Sequence, residues 1–217
     1  LDDGTSLWLY DFGIRILGGP SFDLPSLKSR FEDAFRAIWS AQAEVDNLNS
    51  LVVSAGLTWR QIVIIRAYTR YLRQAGTSFS QLYIEQTHIS NVAIARSLVA
   101  LFEARFDPAR ESDRAVVVED IEGDIQAALD DVASLDQDRI LRSFLSLISA
   151  TLRTNFYQSG RDGQLHDYLS FKLDPAQIPD LPLPKPKFEI WVYSPKVEGV
   201  HLRFGSVARG GLRWSDR

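Results

Sequence analysis

Cysteine is absent from the chain. That excludes disulfides, thiolate metal sites and a cysteine nucleophile, and it is compatible with a cytosolic setting. Histidine is scarce. His88, His166 and His201 lie far apart, and no His-x-x-x-His or similar spacing offers a pair of metal ligands. Long apolar runs are missing, since none approaches the ~20 residues needed to cross a bilayer. The opening Leu1-Asp-Asp-Gly4 has no basic stretch of the kind that begins a signal peptide. Positive charge is not in excess either. A net charge of -4 and a pI near 5.4 argue against a nucleic-acid binder, whose footprint is usually basic. Neither Gly-x-Gly-x-x-Gly nor Gly-x-x-x-x-Gly-Lys occurs, so no nucleotide-binding phosphate loop is present, and there is no Gly-x-Ser-x-Gly nucleophile elbow.

What the chain does have is a hydrophobic fraction of 45%, enough for a real core, and long stretches of helical period. Residues 7–16 are aromatic and β-branched and predict a strand, closed by Gly18-Gly19-Pro20. Over 26–46, Leu27, Phe31, Phe35, Ile38, Trp39 and Val45 fall on one helical stripe. Thr58-Trp-Arg-Gln61 has the form of a capping box, in which a hydroxyl and a Gln side chain satisfy the orphan N–H groups of a helix start. The helix it opens runs to about Gln74, with Gly76 as its left-handed stop. Ser78-Phe-Ser-Gln81 is a second such box and predicts one long helix to Phe106, ended by Asp107-Pro108. Residues 113–133 repeat the apolar period. Ser134-Leu-Asp-Gln137 introduces a last helix carrying Leu141, Leu145, Ile148, Leu152 and Phe156, broken by Gly160 and Gly163. Short loops between such helices predict an antiparallel bundle.

From Lys172 the composition changes. Pro175, Pro179, Pro182, Pro184 and Pro186 predict a stiff, extended connector, because proline lacks the donor N–H. Phe188-Glu-Ile-Trp-Val-Tyr193 and Val200-His-Leu-Arg-Phe204 then read as a strand pair turned by residues 194–199. The fold class expected is mainly α: an antiparallel helical bundle with an N-terminal strand and a C-terminal β-hairpin belonging to a truncated α/β catalytic domain. The divisions are 1–20, the end of a preceding β-containing domain; 21–162, the bundle; 163–187, the Pro-rich connector; and 188–217, the first strands of a catalytic domain.

Two charged helices invite functional readings. Arg60, Arg66, Arg70 and Arg73 make one helix basic, and residues 57–91 have the outline of a helix-turn-helix. The would-be recognition helix has no Arg or Lys before Arg96, so phosphate anchoring would be poor. Pairing within the bundle is the simpler reading, with the acidic helix of Glu119, Asp120, Glu122, Asp124, Asp130 and Asp131 as the available partner. That acidic helix lacks the spacing of a calcium loop and reads as a solvated face. The best chemical candidate is Arg209-Gly-Gly-Leu-Arg213. Two glycines let backbone N–H groups approach an anion, and Arg209 and Arg213 supply planar donors suited to a carboxylate. A Gly-rich turn with solvated arginines is the alternative.

The stretch from Pro182 through Lys196-Val-Glu-Gly-Val-His-Leu-Arg203, followed by Val207-Ala-Arg-Gly-Gly-Leu-Arg-Trp-Ser-Asp-Arg217, strongly resembles the large bacterial NAD-specific glutamate dehydrogenases. Ala55-Gly-Leu-Thr-Trp-Arg-Gln61, Arg66-Ala-Tyr-Thr-Arg-Tyr-Leu-Arg-Gln-Ala-Gly76, Leu101-Phe-Glu-Ala-Arg-Phe106 and Trp8-Leu-Tyr-Asp-Phe-Gly13 are similar to that family's region upstream of the catalytic domain. The resemblance implies a part of a long, homo-oligomeric, cytoplasmic enzyme that oxidatively deaminates L-glutamate to 2-oxoglutarate and ammonia with NAD. It implies no membrane or nucleic-acid partner. In the smaller glutamate dehydrogenases the matching loop reads Lys-Gly-Gly-Ile-Arg, and its lysine helps hold a substrate carboxylate. Arg209 takes that lysine's place, Gly210 and Gly211 give the backbone approach, and Arg213 is the motif's arginine. The change from Lys to Arg keeps the charge but alters the geometry. The family's catalytic lysine and aspartate and its dinucleotide fold lie beyond Arg217. The chain alone is therefore expected to be inactive and to serve as a helical scaffold, for oligomer contact or regulatory relay, with the first wall of a glutamate pocket.

Overall fold

The structure, a computed structural model, describes residues 8–9, 24–205 and 212–213. Trp8 and Leu9 are in neither helix nor strand; the rest of the expected N-terminal strand lies outside the described residues. Seven α-helices follow, then an antiparallel sheet: α1 (Leu24–Trp39), α2 (Leu51–Ser54), α3 (Trp59–Gln74), α4 (Gln81–Ser90), α5 (Val92–Phe106), α6 (Arg114–Asp130), α7 (Leu135–Ala150), β1 (Thr151–Thr154), β2 (Leu169–Leu173), β3 (Phe188–Tyr193), β4 (Glu198–Arg203) and β5 (Leu212–Arg213). Strand order equals chain order, β1-β2-β3-β4-β5.

The mainly helical class stands, with several local corrections. The capping box at Thr58 forms in full: its hydroxyl accepts from Gln61 N and the Gln61 side chain accepts from Thr58 N at 2.8 Å. Gly76 ends α3 with a φ of 92°, where a Cβ would be strained. The expected single helix over 78–106 is two. Asn91 leaves helical geometry (φ -120°, ψ 55°), and its amide donates to Thr87 O at 2.9 Å and to Gln137 Oε1 at 3.1 Å, side-chain bonds that compete with helix continuation. The N-cap of α4 is Ser80 rather than Ser78. Its hydroxyl accepts from Tyr83 N, and Gln81 turns instead to Glu85 Oε1 at 2.7 Å. Helix α1 buries Ala34 and Ala37, while Phe31, Phe35 and Trp39 of the expected stripe, and its Val45 past the end of the helix, stand exposed.

The largest correction concerns the sheet. The last helix stops at Ala150 instead of running through Leu152 and Phe156, and β2 falls inside the expected connector. Thr151 makes the change of direction. Its hydroxyl donates to Leu147 O at 2.7 Å, closing the helix end, while its backbone turns extended (φ -75°, ψ 122°) and pairs with Leu173. The apolar period through Leu152 is overridden because strand pairing satisfies the backbone of residues 151–154. What was expected as a two-stranded hairpin is thus the middle of a five-stranded meander.

One face of that sheet lies on α3. Strand alternation sends Leu169, Phe171 and Leu173 from β2, and Glu189, Trp191 and Tyr193 from β3, to the buried side. Phe171 stacks on Tyr68 of α3 at 4.3 Å between centroids, and the Trp191 indole N–H donates to Ala67 O at 3.0 Å. Bundle and sheet therefore share one continuous core, from Ala34 to Val200.

Candidate functional site

The pairing of β5 with β4 fixes the ends of the loop that carries the Arg-Gly-Gly motif. Arg213 lies opposite Val200 and Leu212 opposite His201. The chain leaves β4 after Arg203 and returns to the same strand edge at Leu212, with residues 204–211 between. Arg209, Gly210 and Gly211, and the side chain of Arg213, lie outside the described residues. Backbone pairing thus sets one boundary of the loop.

β4 itself is held from below. Ser194 organises the turn before it: Ser194 N donates to Val197 O at 2.8 Å, and its hydroxyl oxygen accepts from Lys196 N and Val197 N at 3.2 and 3.0 Å. Beneath β3 and β4 sits a ring of buried charge. The guanidinium of Arg70 donates to Glu44 and lies 3.9 Å from Glu198. Tyr193 donates to Glu44 Oε1 at 3.0 Å, and Tyr71 donates to Glu189 Oε2 at 2.7 Å. Burial, with the neighbouring Glu44 carboxylate, pushes the Tyr193 hydroxyl well above its ordinary range, so it is a permanent donor here. Next to this ring, Arg66 forms a bidentate pair with Asp46 at 2.5 and 2.8 Å and reaches Asn49 Oδ1 at 2.9 Å. Burial disfavours the Arg66 charge, but the bonds and field of Asp46 outweigh it and its pKa rises.

The basic helix therefore pairs as expected, but with a different partner. Arg66 and Arg70 reach Asp46 and Glu44 in the segment after α1, and Arg60 donates to Phe156 O at 2.9 Å with its guanidinium 4.9 Å from the Phe156 ring. Acidic α6 turns instead to Arg105 and Arg142, through Glu122 and Asp130. Of the four arginines Arg73 is exposed and donates only to Phe79 O at 3.3 Å, so the basic surface of α3 that a helix-turn-helix reading would need is reduced to one residue among those described. The ring under the sheet was not foreseen, although a signal for it existed: in Phe-Glu-Ile-Trp-Val-Tyr, the alternation puts Glu189 on the same face as Trp191 and Tyr193, and a carboxylate on a buried aromatic face needs a donor.

Comparison with known proteins now bears on this geometry. Residues 43–108 match the family described as glutamate dehydrogenase, helical motif 3, which takes in α2 to α5 and the Glu44 and Asp46 partners. Residues 124–217 match the family described as bacterial NAD-glutamate dehydrogenase, catalytic domain, which takes in the end of α6, α7 and the whole sheet. The chain belongs to the bacterial NAD-glutamate dehydrogenase family. It is 48% identical over 213 residues to an NAD-specific glutamate dehydrogenase of Halomonas elongata, 49% over 218 residues to one of Pseudomonas aeruginosa and 48% over 228 residues to one of Mycobacterium tuberculosis. These alignments cover 98–99% of the chain but only 13–14% of each relative. Among the described residues, no helix is long and apolar enough to cross a membrane.

Proposed function

We propose that this chain is the helical support and first substrate-domain sheet of an enzyme that oxidises L-glutamate with NAD to 2-oxoglutarate and ammonia. The observation that carries the reading is the meeting of the two family matches across a single buried core, with Leu212 and Arg213 of the motif paired on the edge of the sheet so formed. The Arg213 guanidinium holds a substrate carboxylate, the N–H groups of Gly210 and Gly211 approach it, and Arg209 adds charge where the smaller enzymes place lysine. The helices to Ala150 are the support, and the sheet from Thr151 to Arg213, which takes in part of the stretch expected as a connector, is the substrate wall. NAD supplies the hydride acceptor from elsewhere in the enzyme, and the chain by itself does not turn over. The whole enzyme is a cytoplasmic homo-oligomer.

The test is kinetic. In the full-length enzyme, Arg209→Ala and Arg213→Ala each raise the KM for glutamate tenfold or more, on the order of one lost charge-assisted contact, while the oligomer stays intact. The 217-residue chain assayed alongside shows no glutamate-dependent NAD reduction. Wild-type kinetics in both variants with loss of the oligomer would instead make the segment a scaffold only.

A further inference from the structure

The sheet's other face carries a concavity that the reading above does not use. It lies between the C-terminal end of α5, the N-terminal end of α6 and strands β1 to β4, with a volume near 510 Å³. Five cationic side chains line it: Arg105, Arg114, Arg153, Lys172 and Arg203. No carboxylate is among the described lining residues, in a chain whose net charge is -4. Arg66, Arg70 and Arg142 each meet a carboxylate oxygen at hydrogen-bonding distance. In the concavity, Arg114 donates to the Asp107 carbonyl at 2.8 Å and Arg105 to the Ser149 carbonyl at 2.9 Å; the carboxylate of Glu122 is 3.8 Å from Arg105. The Lys172 ammonium sits 3.8 Å above the Phe188 ring. The Arg153 side chain is exposed and makes no hydrogen bond or ion pair among the described residues. The Nε atoms of Arg105 and Arg114 are buried without an acceptor among those residues.

Like charges gathered around one concavity repel one another, and guanidinium N–H groups left without acceptors cost desolvation free energy. An anion relieves both. Arg105 and Arg114 have forks suited to bidentate oxyanions, Lys172 adds a point charge, and Thr154, Asn155, Gln158 and Ser170 supply neutral polar groups around them. The volume lies within the range of small-molecule sites. We propose that this concavity is a binding site for a small multivalent oxyanion, a polyphosphate or a polycarboxylate. It stands on the charge cluster and not on the assignment of the Arg-Gly-Gly loop.

Calorimetric titration of the 217-residue chain at low salt, with pyrophosphate in one arm and citrate in the other, tests the proposal. Saturable one-to-one binding is expected. Arg153→Gln combined with Lys172→Gln weakens it about tenfold or more, and neither residue carries a hydrogen bond that the fold needs. Arg114→Gln weakens it as well, whereas Lys196→Gln, the same charge change on the exposed turn before β4, leaves it as in the parent chain. Binding of pyrophosphate alone, or of citrate alone, names the ligand class. Absence of saturable binding in both arms, or equal loss in Lys196→Gln and the double variant, overturns the proposal.

Discussion

His88 is the residue least at home in its surroundings. It is fully buried in α4, with its ring edge-on to Phe144 at 4.2 Å between centroids, and neither ring nitrogen has a partner among the described residues. Burial alone holds its pKa down to about 3. The unfolded chain protonates the same imidazole near 6.5. Stability from this group is complete above pH 6.5 and falls as the pH drops toward 3, by up to about 1.4 kcal/mol for each pH unit. His88→Leu, close in volume and without polar atoms, should flatten that acid slope while leaving stability at pH 7.5 equal or higher. Urea titrations at pH 4.5 and 7.5 decide it; an unchanged difference between the two pH values would dismiss the explanation. The place of His88 in a helix, and its lack of a metal-ligand partner in spacing, were legible from the sequence. Its lack of partners was not, because that depends on Phe144, more than fifty positions away.

Among the elements, the helix ends show how far local signals reach. Thr58, Gly76 and Ser134 announced their roles, since caps and left-handed stops are decided within four residues. The end of α1 gave no such signal. Ala41 adopts a φ of 55°, where glycine is the usual choice, while Gln42 N and Ala43 N both donate back to Ala37 O. The left-handed region costs an L-residue about 1–2 kcal/mol, and replacing Ala with Gly gives back some 0.4–1 kcal/mol through the freer unfolded chain. Ala41→Gly should therefore stabilise by roughly 0.5 kcal/mol, read as a rise in the denaturant midpoint at constant m; a fall would mean that the Ala41 side chain matters more than its backbone. Strand β1 was missed for a related reason. Leu141, Leu145, Ile148 and Leu152 keep a helical period straight through the boundary, and only pairing with residues 171–173 turns the last of them into strand.

At the scale of the whole molecule, the helical character and the family were readable, the first from period and the second from long motifs. The sheet and its joint were not, because both rest on contacts across the length of the chain. Tyr68 donates to the Thr151 hydroxyl at 2.7 Å and stacks on Phe171, and α3 meets Trp191 and Glu189 through Ala67 and Tyr71. Bundle and sheet therefore have no dry surface along which to part, and one cooperative transition is expected. Thermal unfolding followed by far-UV circular dichroism, which reports the helices, should coincide with near-UV dichroism, which reports the aromatic joint. Two separated midpoints would show that the sheet melts on its own.

The sheet's plain order has a consequence for synthesis. Each strand from β2 onward finds its neighbour already made, because strand order is chain order. As the polypeptide leaves the ribosome from its N-terminal end, four strands can pair before the Arg-Gly-Gly loop emerges, and none must wait for a distant partner. The loop proposed to meet substrate is therefore laid down after four strands have formed, onto an edge already anchored to α3.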